Sequence, residues 1–310
     1  MMEEETAFAE NLIEKLRVNG TLTGDERKFI LDLINSTTDS EEEETEPTEQ
    51  HNKKVQVVMR NVKDSSTQTD PIKDGSTGST PVQKSKTQQL MDESYRDRRI
   101  SIFLKRPRII EIKEQYPALF STSEIRKELD RIFYPGKSEE FLNHITKYAS
   151  EILEGGKNKK LYSVIKGCME EAKSEDDRKY ALQVGAILML PVVVCQNADR
   201  KSVSFLRFKL EDPDEECDPY IYVNIDDLTE LCMKKHLCKI IVEGVKVGET
   251  FSFVEAVLVY FACFFTFDIV YPDKDLDTHV AMERLFLNAN ETEEISDYSS
   301  EVMKRLKATK

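Results

Sequence analysis

Phe251 to Pro272 reads FSFVEAVLVYFACFFTFDIVYP and is apolar almost throughout. After its second residue, only Glu255, Thr266 and Asp268 interrupt the run, which leaves ten consecutive apolar residues in its centre. A helix needs roughly 20 apolar residues to cross a bilayer. The stretch therefore predicts a buried central helix and not a membrane span.

The start of this helix is marked by Ser252 and Glu255, which stand in the S-x-x-E spacing of a capping box. In a capping box each of the two side chains accepts a hydrogen bond from a free amide of the first helical turn. Such a cap favours a helix that begins in water.

Composition and charge describe an acidic protein. The chain has 310 residues, 39% of them hydrophobic, which is enough for one or two domains with a sizeable core. Its formal net charge of −14 at pH 7 argues against a general binder of nucleic acids or anionic membranes. The first ten residues, MMEEETAFAE, carry acids where a signal or transit peptide needs bases. We therefore expect an intracellular protein, in the cytoplasm or the nucleus.

Composition also divides the chain into four segments. Residues 1–35 hold two short amphipathic helical patterns, and residues 36–92 are acidic and then rich in Ser, Thr, Gln, Lys and Gly, which predicts a disordered linker. Residues 93–288 predict a predominantly helical α+β domain with a small antiparallel sheet and the central buried helix. Residues 289–310 predict a polar C-terminal tail.

Periodicity places elements within the globular domain. Apolar stripes predict four helices, at residues 125–132, 141–152, 161–168 and 180–187. β-branched and aromatic runs predict strands at residues 191–195, 203–210 and 220–223. Asp226 is expected to cap a short helix, Gly244 to turn a tight hairpin, and residues 275–287 to form the last helix.

Six cysteines lie in the second half of the chain, several of them in apolar runs where a thiol acts as a small hydrophobe. This favours reduced, structural cysteines. The alternative is a Cys₃His zinc site, whose ligands would be Cys217, Cys232, His236 and Cys238. Cys232 and His236 are four residues apart and would share one helix face. Because the paired C-x-x-C spacing of a zinc ribbon is missing, no metal or other cofactor is expected.

Asp275, His279 and Glu283 follow one another at four-residue intervals on the predicted last helix. This spacing could hold a metal or share a proton. A solvated, ion-paired helix face is the more common meaning of such a triplet, and we prefer it here.

Residues 96–113 hold seven basic side chains against only Asp97 and Glu111. Such a segment can bind phosphates or serve as a nuclear address. Six of the bases define a candidate nucleic-acid patch: Arg96, Arg98, Arg99, Lys105, Arg106 and Arg108. Isoleucines and a phenylalanine interleave with them, which indicates amphipathic elements whose bases face water and the acidic linker.

The sharpest short motif is Ser66-Thr67-Gln68-Thr69-Asp70, within KDSSTQTDP. Its central Thr-Gln-Thr resembles the anchor that cytoplasmic dynein light chain recognises. Binding there would add an extended strand to a sheet edge, with the glutamine capping backbone groups and the threonines entering small pockets. Pro71 fits, because it keeps the segment from folding on itself. The alternative is a chance tripeptide in a Ser/Thr-rich linker.

Two further clusters carry a resemblance to a known family. The first comprises Arg98-Arg99, Pro107, Ile112, Tyr116 to Leu119, Glu128 and Ile132, and the second is the apolar helix with its end, Phe267 to Pro272. Both resemble the conserved region of fish proteins named "sterile alpha motif domain-containing protein 3-like", over about Tyr95 to Leu287. The resemblance implies a domain identity and a soluble long helix, but no activity. The first 92 residues have no stretch long enough for the five-helix sterile alpha motif itself.

These observations favour a non-enzymatic intracellular scaffold protein that binds protein partners, among them dynein light chain, which would hold two copies together. The sequence has no P-loop, no G-x-S-x-G elbow and no H-E-x-x-H motif. The alternative is a nucleic-acid or chromatin-associated factor that uses residues 96–113.

Overall fold

A computed structural model describes residues 86–195, 203–208, 218–288 and 297–308. The chain divides into two compact units, Met1–Leu119 and Phe120–Lys310. The predicted N-terminal helical pair and most of the predicted linker lie outside the described residues. Among the residues that are described, no helix combines the length and the hydropathy needed to cross a membrane.

The described part of the first unit is helical. It contains α1 (Lys86–Glu93), α2 (Tyr95–Lys105), α3 (Ile109–Gln115) and a 3₁₀ turn at Pro117–Leu119. Helix α1 lies almost entirely within the range predicted as linker, and its Met91 is fully buried. Helix α2 ends where Arg106 adopts a left-handed conformation (φ 44°), with its amide donating to Ile102 O at 3.0 Å.

Four helices open the second unit: α4 (Thr122–Ile132), α5 (Lys137–Gly155), α6 (Lys160–Glu171) and α7 (Glu175–Val194). The four apolar stripes therefore correspond to four observed helices. The strand predicted at residues 191–195 is wrong, because α7 continues through Pro191 to Val194. The amide of Cys195 donates to Pro191 O at 3.1 Å, and Val194 is fully buried. Burial of this last turn outweighs the β propensity of the valines and the helix-breaking tendency of proline.

A four-stranded sheet follows, with strand order β1-β2-β3-β4. The strands are β1 (Leu206–Phe208), β2 (Tyr220–Val223), β3 (Cys238–Val242) and β4 (Val245–Thr250). The α+β class is confirmed, but the sheet is mixed and not purely antiparallel, since β1 and β2 pair in parallel. Eleven residues separate β1 from β2, so no tight hairpin forces them antiparallel.

The β3–β4 connection is the hairpin predicted at Gly244. Glu243 (φ 47°) and Gly244 (φ 71°) both have positive φ, as the two central residues of a type I′ turn require. A short helix, α8 (Leu228–Met233), lies between β2 and β3. Its cap is Asp227 and not Asp226, and the Asp227 carboxylate accepts the amides of Thr229 at 2.7 Å and Glu230 at 3.2 Å.

The central apolar helix is α9 (Phe253–Thr266), and nearly every side chain along it is buried. It packs on α4, α5, α7 and strands β2 to β4. Ser252 Oγ accepts the amide of Glu255 at 3.4 Å, as predicted. The reciprocal half of the capping box does not form, because the Glu255 carboxylate instead accepts from Thr250 Oγ1 at 2.5 Å and pairs with Arg126 at 2.9 Å.

The chain continues through a 3₁₀ turn (Asp273–Asp275), α10 (Leu276–Met282), a π-helical turn (Glu283–Leu287) and α11 (Asp297–Ala308). The predicted last helix is therefore divided among three kinds of helical turn. The prediction of a polar tail does not hold for α11, since Val302, Met303 and Leu306 are buried. Ser299 Oγ fixes α11 by donating to Val194 O, at the end of α7, at 2.7 Å.

Glycine makes the close approach of α6 and α7 possible. A Cβ atom added at Gly185 would lie 2.3 Å from Ile165 Cγ2, whereas one added at Gly167 would meet nothing within 4 Å. We expect Gly185→Ala to lower the free energy of unfolding by about 1–3 kcal/mol through overpacking. The matched control, Gly167→Ala, should raise it by about 0.5–1 kcal/mol, because alanine is the better helix former. Urea unfolding of both variants checks this, and destabilisation of equal size would contradict it.

Candidate functional site

The titratable triplet on the last helical segment is buried, which contradicts the predicted solvated face. Asp275 is 4%, His279 0% and Glu283 6% exposed. Apolar and aromatic residues of α9 and the segment after it cover this face. The triplet therefore belongs to a polar cluster inside the second unit.

His279 is at the centre of this cluster. Its Nδ1 lies 2.9 Å from the Asp275 carbonyl oxygen, one turn earlier, and its Nε2 lies 2.8 Å from the hydroxyl of Tyr260 on α9. Because a carbonyl oxygen can only accept, Nδ1 carries a hydrogen, and in the neutral imidazole Nε2 accepts from the tyrosine. Both nitrogens are thus satisfied when the imidazole is neutral.

Aromatic rings enclose the imidazole. Tyr271 stacks on it at 5.1 Å between ring centroids, and Phe264 meets it edge-on at 5.0 Å. Burial lowers the pKa of His279, and it raises the pKa of Tyr260 well above its usual range. Both groups are therefore held in their uncharged forms.

The two carboxylates of the triplet each accept a hydroxyl hydrogen bond. Ser204, just before β1, donates to Asp275 Oδ2, and Tyr271 donates to Glu283 Oε2 at 3.0 Å. These bonds join the turns before and after α10 to the segment before β1 and to the segment after α9. The i, i+4 spacing of the triplet was visible in the sequence, but its partner Tyr260 lies 19 residues from His279 and carried no signal of contact.

The predicted zinc ligands do not form the expected arrangement. Helix α8 ends at Met233, so Cys232 and His236 do not share a helix face. Cys238 lies in β3, where its thiol donates to the carbonyl oxygen of His236 at 3.4 Å. Cys217 lies outside the described residues. The described residues contain no group of three or more His, Cys, Asp or Glu side chains that could hold a metal ion.

Burial also keeps the thiols in this region protonated. It raises the pKa of Cys232 to about 12, with a further contribution from the neighbouring Cys168, and it raises the pKa of Cys238 to about 12. Cys168, Cys232, Cys238 and Cys263 are free thiols.

One of the six basic side chains of the candidate nucleic-acid patch is buried in the protein interior. Arg98 is fully buried, and both terminal nitrogens of its guanidinium donate to Met91 O at 3.2 Å. A third bond, at 2.8 Å, reaches Ser94 Oγ. Arg98 therefore joins α1 to α2 and is not available to a ligand. Arg96, Lys105, Arg106 and Arg108 are exposed, and Arg99 is half-buried.

Two of the clefts on the second unit are lined by described residues. One, of about 430 Å³, lies between the C-terminal ends of α5 and α7 and helix α11, and it is lined by Val192, Val193, Val302 and Leu306 together with Glu151 and Lys159. The other, of about 500 Å³, lies between the starts of α4, α5 and α9 and the end of β4. Its lining is polar and includes Arg126, Asp130 and Glu255.

Hydrogen bonds internal to the protein already hold the polar cleft together. Arg126 pairs with Glu255 at 2.9 Å and with Glu139 at 3.5 Å. Thr122 Oγ1 donates to Glu249 O at 2.8 Å and accepts from Glu249 N at 3.2 Å. A Cβ at Gly248 would lie 3.1 Å from that hydroxyl, so glycine permits the close approach of α4 to β4.

The dynein-light-chain-type segment Ser66 to Asp70 lies outside the described residues, so its interpretation stays a prediction. The resemblance to sterile alpha motif domain-containing protein 3-like proteins also stays a prediction. Comparison of the chain with protein-family models, with curated proteins and with solved structures gave no match in any of the three.

Proposed function

We propose that this protein is a non-enzymatic scaffold whose Ser66 to Asp70 segment binds a dynein light chain in the cytoplasm. The observation that carries the proposal is Thr67-Gln68-Thr69, followed at once by Asp70 and Pro71. An extended peptide of this kind can pair with a sheet edge through its main chain, while its alternate side chains enter pockets. Specificity would come from the Gln68 amide, which can both donate and accept.

The hydrogen bonds of the polar cluster in the second unit support a structural and not a catalytic role for it. His279 and Tyr260 satisfy each other, and Asp275 and Glu283 accept bonds from hydroxyl groups of the same unit. The two clefts are lined by other residues. The cluster is therefore best explained as a buried network that fixes the packing of α9 against α10.

A dimeric light chain would hold two copies of the protein together. Linking two copies raises the effective concentration of every other binding surface on them, which strengthens contacts that are weak in a single copy. The proposed role is thus to present paired folded units to further protein partners.

The test is calorimetric titration of the full chain with purified light chain. We expect a dissociation constant of about 1 μM or tighter, and loss of binding with Gln68→Ala because the amide that caps backbone groups is gone. Gln83→Ala is the matched control, since it removes another glutamine from the same predicted linker. Absence of heat for the unaltered chain, or equal binding by Gln68→Ala, would contradict the proposal.

The second candidate function is nucleic-acid binding through residues 96–113. It is favoured by the exposure of Arg96, Lys105, Arg106 and Arg108 and weakened by the burial of Arg98. It predicts salt-sensitive retention of the unaltered chain on a polyanion column.

A further inference from the structure

The cleft between α5, α7 and α11 has the dimensions of a small-molecule site. Its volume of about 430 Å³ lies within the usual range of ligand pockets, roughly 300–1,000 Å³. Val193 on α7 and Val302 and Leu306 on α11 form apolar walls. The hydrogen bond from Ser299 Oγ to Val194 O holds α11 against the end of α7, so the two walls are fixed relative to each other.

One carboxylate in this cleft has an oxygen without a hydrogen-bond partner. Glu151, near the end of α5, lines the cleft, and its Oε2 atom is shielded from water. No donor among the described residues reaches that oxygen. A buried acceptor without a donor is costly, and the cost is larger when the acceptor is charged. Because the residue as a whole is only half-buried, a ligand in the cleft can reach its carboxylate.

Two other charged side chains of the cleft have ion pairs of their own. Glu154, the second acid that lines it, is exposed and pairs with Lys157. Arg305 approaches Glu301 at 3.9 Å, one turn earlier on α11. Glu151 therefore differs from Glu154 in having an oxygen that is both shielded and without a partner.

Charge favours a cation as the missing partner. An ammonium group donates hydrogen bonds and also neutralises the carboxylate, so it satisfies Glu151 better than a neutral donor does. The net charge of −14 attracts cations and repels anions at long range. Lys159 also lines the cleft, but its side chain is partly exposed, so water can solvate its ammonium without a ligand.

We propose that this cleft binds a small molecule with an apolar body and a protonated primary amine. The ammonium donates to Glu151, and the apolar body packs on Val193, Val302 and Leu306. The site is separate from the linker segment of the proposed function and does not depend on it. The competing occupant is an apolar carboxylate held by Lys159.

The first test is titration of the full chain with hexylamine, followed by ligand-observed NMR. Hexanol and hexanoate are the matched probes, because they keep the apolar chain and replace the ammonium by a hydroxyl or by an anion. We expect hexylamine to bind with a dissociation constant of about 1 mM or tighter, which is within reach of a ligand of this size. Hexanol should bind about tenfold more weakly, because it lacks the charge-assisted hydrogen bond.

Two results of this titration would overturn the proposal. One is the absence of saturable hexylamine binding. The other is hexanoate binding as tight as that of hexylamine or tighter. If Lys159→Gln then weakened the binding of hexanoate, the cleft would be an anion site.

The second test is the same titration with Glu151→Gln, which removes the charge and keeps the size of the side chain. Hexylamine affinity should fall about tenfold while hexanol affinity stays unchanged. A merely structural role of Glu151 would not separate the two probes. Glu154→Gln is the matched control, because it removes an exposed carboxylate from the same cleft, and it should change hexylamine affinity little. Equal losses in the two variants would show a response to overall negative charge, and the proposal would fail.

Val192→Phe tests where the ligand binds. Val192 is half-buried on α7 and lines the cleft, so a phenylalanine there takes up space that the apolar body needs. The variant should weaken the binding of both hexylamine and hexanol, and far-ultraviolet circular dichroism checks that its helices are retained. Unchanged hexylamine affinity would place the amine outside the cleft and contradict the proposal.

Discussion

Phe261→Ala lowers the free energy of unfolding by about 3–5 kcal/mol, the usual cost of truncating a fully buried phenylalanine. Phe261 is 0% exposed and lies midway along α9. Its ring contacts Phe141 at 5.5 Å, Phe265 at 5.5 Å and Tyr271 at 6.0 Å between centroids. Alanine leaves a cavity that these rings cannot fill without moving α5 against α9.

Urea unfolding followed by far-ultraviolet circular dichroism measures this effect. Phe251→Ala is the matched control, since Phe251 lies two residues before α9 and is 66% exposed. We expect its unfolding midpoint to move little, as for most exposed positions. A large loss at Phe251 and a small one at Phe261 would show that α9 is not the centre of the core.

The second large effect is acid destabilisation through His279. Burial lowers its pKa in the folded protein below the ordinary value near 6.5 that it has when unfolded. Below pH 6.5, His279 binds a proton in the unfolded chain but stays neutral in the folded chain. The stabilisation from a neutral His279 is therefore complete above pH 6.5 and is lost as pH falls below it, by up to about 1.4 kcal/mol per pH unit.

The measurement is unfolding free energy between pH 7 and pH 5. This window lies above the range of the carboxylates with lowered pKa, Glu140 and Asp227, whose contributions are lost only at more acid pH. The groups around the imidazole are Tyr260, Phe264, Tyr271 and the Asp275 carbonyl, and Asp275 and Asp218 oppose part of the shift. Tyr260 stays neutral throughout the window.

His279→Gln separates the titration from the packing. Glutamine can accept from Tyr260 but cannot take up a proton, so the variant should be less stable at pH 7 and yet lose less stability between pH 7 and pH 5 than the unaltered chain. Equal pH dependence of the two proteins would assign the acid sensitivity to other groups.

The central helix could be predicted from the sequence because residues 253–266 are apolar on every side, and only a buried helix of that length satisfies them. The helical stripes were equally informative, since each repeats an apolar side chain every three to four residues. The prediction of a strand at residues 191–195 was wrong because a short β-branched run is compatible both with a strand and with the last turn of a buried helix. Length and tertiary burial decided between them.

The candidate sites depended more on tertiary structure. The sequence shows that Arg98 is basic but not what its side chain contacts. Only the position of the Met91 carbonyl shows that Arg98 is an internal hydrogen-bond donor. The triplet at Asp275, His279 and Glu283 has the spacing of a solvated face, and the rings that cover it come from distant positions such as Tyr260. Spacing identifies which residues share a face but not what that face meets.

Sheets can grow by recruiting a strand from another molecule, and among the described strands β4 lies at an edge of this sheet. Unprotected edges of this kind template aggregation. Here the hydroxyl of Thr122 engages both the N–H and the C=O of Glu249. An incoming strand would have to break both bonds before it could pair at that residue. Thr122, at the start of α4, thus hinders strand addition and polymerisation along β4.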